Sequence, residues 1–338
     1  KVESKMKLND MKFWLLFILA SHFFLSNTIS AEVSWNPSKT WFGDPNLQGT
    51  WTNATLTTLE RPDSIDQLEI SDRQANSIVK AYQEGWDSYD NQLDVGEEIK
   101  EAGDPGGYNT AWMDPGNKLL KINGKYRSSV IVYPEDGKLP RKWVRWGREG
   151  INIYRMFAVA NHPEQRSLGE RCLVGFGSSG GPPMLNVLYN NNYQIVQSPG
   201  YVMILVEMNH DARIIRLDSE HRPDNIKPWL GDSVGYWEGN TLVVKTKNHH
   251  PQQKFRAAIR HQILISEGAI VTERFTRTSN NEILYEFTVD DDSAYKDIWK
   301  GEIALRKSND QIYEYACHEG NYAMANILAG ARAEEEGD

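Results

Sequence analysis

From Tyr189 to Cys317 the chain alternates short apolar runs with turn-forming residues, and this rhythm restricts the possible folds more than any other feature. Strand-like runs fall at 193–197, 201–207, 212–217, 233–237, 241–246, 259–266, 269–278, 283–290, 299–306 and 311–317. Between them lie Pro199-Gly200, Glu238-Gly239-Asn240, Glu267-Gly268, Asn280-Asn281 and Asn309-Asp310, all turn chemistry. Strands joined by such short turns pair antiparallel, because a parallel neighbour needs a crossover of about a dozen residues or more. The predicted class is mainly all-β, an antiparallel meander closing as a barrel or curved sheet, with a few peripheral helices. Gly49-x-Trp51 opens the first strand as lipocalin-like barrels do, so a lipocalin-like barrel is expected.

Upstream the pattern is less regular. Ser71 and the apolar spacing Ala75, Ile78, Val79, Tyr82 predict a helix over 71–82. Residues 87–108 are acidic and Gly-rich and read as a surface loop; 126–133 reads as a strand ended by Pro134. The stretch 143–160 fits either element, with helix favoured over 151–160. A short helix is expected after Tyr322, beyond the Gly320-Asn321 turn. The expected organisation is one β-rich domain over 32–338, with helical and loop insertions within 71–160.

The first thirty-one residues read as a secretory signal peptide. Lys5, Lys7 and Lys12 precede an apolar run from Phe13 to Leu25, and small and polar residues lead to cleavage near Ala31. The run falls short of the roughly 20 residues of a membrane-spanning helix. A secreted or periplasmic protein is expected, without membrane insertion once the signal is removed. Its loss removes four lysines and two acids, moving the formal charge from −9 to about −11. So acidic a surface argues against nucleic acid as a partner. The only two cysteines, Cys172 and Cys317, are expected to form a disulfide in an oxidising compartment; the competing reading is a reactive Cys317 beside His318.

Eleven Trp and fifteen Tyr supply core filling or the wall of a ligand cavity. Reactive groups crowd into 314–322, where Glu314, Cys317, His318, Glu319, Asn321 and Tyr322 follow one another at the end of the last expected strand. A second concentration is Glu207, His210, Asp211 and Arg213: a carboxylate closes an apolar strand, and an imidazole and a second acid occupy the next turn. Its bland counterpart is a Glu207–Arg213 salt bridge. Gly177-Ser178-Ser179-Gly180-Gly181 has the letters of a nucleophile elbow, but Pro182-Pro183 replaces the required helix, so a flexible loop is the better reading. His318-Glu319 starts a His-Glu-x-x-His motif whose second ligand is replaced by Tyr322. No metal ligands are therefore assigned, although scattered His210, His221 and His318 keep a metal-dependent hydrolase as a third option.

The segments from Tyr189 to Gln197, Glu207 to Arg213, Trp229 to Val244 and Cys317 to Tyr322 resemble a large group of secreted bacterial proteins. The resemblance spans most of 45–335; it implies export and assigns no catalytic residues. With no dinucleotide or Walker loop, no cofactor is expected. The leading functional expectation is cofactor-independent acid–base chemistry, of lyase, isomerase or hydrolase type, on a small sugar-derived or aromatic molecule held in a barrel cavity. His318, Glu319, Glu207, His210 and Asp211 are its candidate catalytic groups; Arg127, Arg213, Tyr322, Trp229 and Trp237 are candidates for binding. The alternative is a non-catalytic carrier of a hydrophobic or aromatic ligand.

Overall fold

The structure, a computed structural model, describes residues 35–90, 113–158, 160–258 and 261–337. The expected signal peptide lies outside the described residues, as does most of the 87–108 loop. Short strands come first: β1 (Gly49–Thr52), β2 (Glu69–Ile70), β3 (Lys121–Ile122), β4 (Lys125–Arg127) and β5 (Ile131–Tyr133). Then follow β6 (Asn192–Ser198), β7 (Tyr201–Val206), β8 (Ala212–Leu217), β9 (Asp232–Glu238) and β10 (Thr241–Lys247). The last are β11 (Phe255–Ala258), β12 (His261–Leu264), β13 (Ile270–Ser279), β14 (Glu282–Asp290) and β15 (Trp299–Lys307). The described helices are α1 (Asp72–Asp90), α2 (Trp143–Ala158) and α3 (Tyr322–Gly337).

Nine strands form a closed ring in the order β1-β6-β7-β8-β9-β10-β13-β14-β15, with β15 pairing back onto β1 through Trp51 opposite Lys307. The all-β barrel expected from the turns is therefore present. Its meander is broken once. β8 and β9 run parallel, because 218–231 is long enough to carry the chain back to the starting end before β9 begins. The parallel joint also follows from counting: strands alternating in direction close a ring only in even number, so nine require one parallel pair. The remaining ring neighbours are antiparallel, those joined by short turns, such as β6–β7, β9–β10 and β13–β14, necessarily so. At the β9–β10 hairpin Gly239 takes φ 60°, a left-handed conformation that glycine adopts without steric cost.

Three expectations need correction. Residues 311–317 form no strand: the Tyr313 N–H goes to the Glu207 side chain (3.3 Å) and the Cys317 N–H to the Tyr315 carbonyl (2.9 Å). The outer side of β15 is already shared by β1, at Arg306 and Lys307, and by a tenth strand, β5, at Lys300 and Gly301. The run expected over 259–266 is β12, which pairs with β11 as a two-stranded ribbon outside the ring. Helix α2 begins at Trp143, well before 151, and sets Trp146 against Tyr295 with ring centroids 6.1 Å apart.

Helix α1 starts where its sequence predicts. The Gln74 N–H donates to Ser71 Oγ (3.3 Å) while the Ser71 N–H donates to Gln74 Oε1 (3.0 Å), a reciprocal capping box. Its apolar stripe, Ala75, Ile78, Val79 and Tyr82, covers a small core of Leu56, Ile70 and Leu119. The main core lies inside the barrel. Alternation turns Val202, Ile204 and Val206 of β7 inward with Ile283, Tyr285, Phe287 and Val289 of β14, all buried.

Candidate functional site

Alternation also brings polar groups inward. Glu273 shares the inner face of β13 with Val271 and Phe275, and Arg213 that of β8 with Ile215. The two meet across the barrel as a fork, Arg213 Nη1 and Nη2 donating to Glu273 Oε1 (3.0 Å) and Oε2 (2.5 Å). So desolvated a pair persists only because each charge neutralises the other. The Tyr285 hydroxyl donates to Glu273 Oε1 at 2.8 Å; burial first, and the Glu273 charge second, push its pKa well above the usual phenol value.

Chain enters the barrel interior. Ser178, Ser179, Met184 and Leu185 are buried among the inward side chains, so the Gly/Ser/Pro segment expected to be a flexible loop is a plug. Its backbone groups, cut off from water, are satisfied by polar residues of the barrel and of the β11–β12 ribbon. The Met184 N–H donates to the Tyr285 hydroxyl (2.9 Å), and the Tyr193 hydroxyl donates to the Ser179 carbonyl (2.9 Å). The Ser178 N–H donates to His261 Nε2 (3.1 Å), and Arg256 Nη1 donates to the Pro182 carbonyl (2.6 Å). Burial, and then the Arg213 charge, lower the Arg256 guanidinium to about 9. Burial likewise holds His261 neutral with a pKa of about 4, and burial followed by the charges of Arg256 and Arg213 holds His249 at about 3.

Space for a ligand opens beside the barrel. A half-open cleft of about 530 Å³ lies between the segment 164–177, the stretch 252–257 leading into β11, and Glu149 of α2. Its apolar walls include Leu168, Val174, Phe176 and Phe255. Two of its charged residues are tied to two others: Arg166 Nη2 lies 2.7 Å from Glu170 Oε1, and Lys254 Nζ 3.0 Å from Glu149 Oε2. Glu170 also accepts the Ser167 N–H at 2.9 Å; against the cost of burial, Arg166 and Ser167 together hold its pKa below the ordinary value. The wall is held in place by the Cys172–Cys317 disulfide, Cα atoms 5.7 Å apart, and by Asn321 Nδ2 donating to the Glu170 carbonyl (2.7 Å). The expected bridge is therefore present.

None of the candidate catalytic residues lines this cleft. His318 and Glu319 are exposed in the turn after the disulfide, and Tyr322 at the start of α3 is 76% exposed. Glu207 is buried but accepts from Asn192 Nδ2 (2.9 Å) and the Tyr313 N–H; Arg213 bonds Glu273, so the Glu207–Arg213 bridge does not form. His210 is exposed. Asp211 Oδ2 accepts the Gly175 N–H at 2.7 Å, directly behind the cleft wall, and burial pushes its carboxyl up to about 6. Arg127 is buried between Glu69 (2.8 Å) and Glu302 (3.5 Å). Trp229 lies over His250 with ring centroids 3.8 Å apart, beside a smaller hollow of about 200 Å³ that it lines with Arg213; Trp237 packs on the barrel core. Among the described residues no group of three or more His, Cys, Asp or Glu is arranged to hold a metal ion, and His221 is engaged with Asp232 at 3.0 Å.

The residues that sequence reasoning missed are Arg171, Phe176, Phe255 and Arg256 in the cleft and Glu273 in the barrel. Glu273 carried a readable signal, an acid in the inward register of an apolar strand, which demands a buried cation opposite. The cleft residues carried none, since irregular chain builds most of the wall. Fold and cavity together define a plugged, nine-stranded β-barrel with a ligand-sized cleft at its side. Comparison of the chain with family models, with curated proteins and with solved structures returns no match.

Proposed function

We propose that the protein is an exported carrier that binds a small organic molecule in the cleft beside its barrel. The cleft itself carries the reading: about 530 Å³, mostly apolar, with a few fixed polar groups, which is the construction of a small-molecule site. Catalysis in the cleft needs two ionisable groups meeting at one point there, and His318, Glu319, Glu207 and His210 do not line it. Export rests on the signal-like segment 1–31 and on the disulfide, which suits an oxidising compartment. A second reading, acid–base chemistry at the cleft, draws on Asp211 alone, a carboxyl near pH 6 behind the wall at Gly175.

The test is a thermal-shift screen of small organic molecules against the wild type and Ala257→Trp, which fills the cleft from β11. A ligand at 100 times its Kd stabilises the folded state by about 2.7 kcal/mol, and the filled variant should lose that gain. Binding should be flat between pH 6 and 8. Compounds that stabilise both proteins equally, or a failure of any to stabilise the wild type, would refute the carrier reading. Turnover abolished by Asp211→Asn would favour the second.

A further inference from the structure

Resting on the carrier reading, the charges of the cleft narrow its ligand. Arg166 is paired with Glu170, and Glu149 is shared between Lys254 and Arg145 (3.2 Å), so neither acid is left over. Three charged residues of the lining remain: Arg171, Arg256 and Glu164. Glu164 is exposed, whereas Arg171 is partly buried and Arg256 is only 2% exposed. Arg256 bonds the carbonyls of Gln253 (3.2 Å) and Pro182 (2.6 Å) and touches no carboxylate, and its Nη2 has no partner. It also reaches Ser178 Oγ at 3.5 Å, and Glu273, the acid whose field it feels, is forked to Arg213, so no carboxylate pairs with it at the inner side of the cleft. Among the described residues the Arg171 side chain makes no ion pair and no hydrogen bond, although it sits one residue before the bridged Cys172 on the most firmly fixed wall.

A cation held on a rigid wall, partly out of water and without a partner, is a poor structural choice and a good recognition group. The protein as a whole is acidic, with formal charge −9, so a surplus of positive charge in this one recess is local and not a sample of the surface. We infer that the cleft selects an organic anion with an apolar body. Its carboxylate or sulfonate is gripped by the Arg171 guanidinium, and its hydrocarbon part lies against Phe176 and Phe255. The planar five-donor fork of arginine suits such a headgroup, and the buried Arg256 charge adds attraction without needing contact. A neutral molecule of the same shape would gain the apolar contact and forgo the grip.

Two fluorescent probes of nearly the same shape separate the terms: anilinonaphthalene sulfonate, an anion, and uncharged N-phenylnaphthylamine. Each is titrated into the wild type, Arg171→Gln, Arg171→Lys and Ala257→Trp, after melts establish that all four fold. The wild type should bind the sulfonate at least about tenfold tighter than the neutral probe, the value of one charge-assisted hydrogen bond. Arg171→Gln should bring the two affinities to within about threefold by weakening the sulfonate alone, and Arg171→Lys should keep part of the preference. Ala257→Trp should weaken both. Equal affinities in the wild type, or an Arg171→Gln ratio equal to that of the wild type, would overturn the anion assignment while leaving a carrier. Binding of neither probe, or binding of both undiminished in Ala257→Trp, would overturn the carrier reading and this inference with it.

Discussion

Single residues in this protein take their character from what the barrel does to water. Asp211 is the clearest case. In an unfolded chain an aspartate titrates near about 4; here burial raises the carboxyl to about 6, against the opposing pull of the Gly175 N–H and the Asn209 amide. A raised folded pKa means that the native state binds more protons between those values. The Asp211 contribution is therefore fully present below pH 4 and is lost as pH rises through 6. The ionised carboxylate then costs on the order of 2 kcal/mol, allowing for its partial contact with solvent. His249 and His261 act in the opposite sense. Their folded pKa values of about 3 and about 4 lie below the free value, so their contribution is present above about pH 6.5 and lost as pH falls. Melting Asp211→Asn beside the wild type cancels the histidines, which both proteins share. The variant should gain on the wild type from about pH 4 to about pH 6 and hold that gain, without further widening, up to pH 7.5; a constant gap throughout would show that Asp211 titrates normally.

Elements were far more legible than residues. The barrel strands of the second half, β6 to β10 and β13 to β15, stand where alternation and turn chemistry put them, because each alternates over at least six residues and turn-forming residues bound it. What failed was pattern without a partner. Residues 311–317 alternate like a strand, yet a strand also needs an edge, and β1 and β5 already share the outer side of β15. Four residues of β1 close the ring, a role that no local signal in Gly49–Thr52 announces. One glycine shows how tightly the elements fit. Gly301 of β15 stands directly opposite Phe287 of β14, and a Cβ there would come within 2.3 Å of the Phe287 ring. That ring is pinned on its other sides by Trp299, edge-on at 5.4 Å, and by Tyr285 at 5.6 Å. Gly301→Ala, which would ordinarily firm a strand, should here lose about 1–3 kcal/mol by overpacking. Adding Phe287→Leu should make the double variant more stable than the sum of the single losses predicts. Urea unfolding of the four proteins completes the cycle, and strict additivity would mean that the ring moves aside freely.

At the scale of the whole molecule, the barrel class was readable and the location of its cavity was not. Composition and turns announce a barrel, but only the fold shows that Ser178–Leu185 fills it and displaces ligand space to the flank. The Cys172–Cys317 bridge unites these levels. It spans 145 residues, a loop that contains eight of the nine ring strands and leaves out only β1. An intact bridge therefore restricts the unfolded chain across nearly the entire barrel, and the chain-entropy treatment values a loop of this length at about 5 kcal/mol. Two weaker ties join the same arm to the cleft side of the molecule: Asn321 to the Glu170 carbonyl at 2.7 Å and Arg332 to the Asn161 carbonyl at 3.1 Å. They order the folded arm without constraining the unfolded state. Cys172→Ala/Cys317→Ala should therefore keep a native far-ultraviolet spectrum yet unfold with a loss of about 4–5 kcal/mol in urea. The dependence on urea should steepen, because an uncrosslinked chain exposes more surface when it unfolds. A double variant as stable as the wild type would show that the bridge only decorates an arm already held by Asn321 and Arg332.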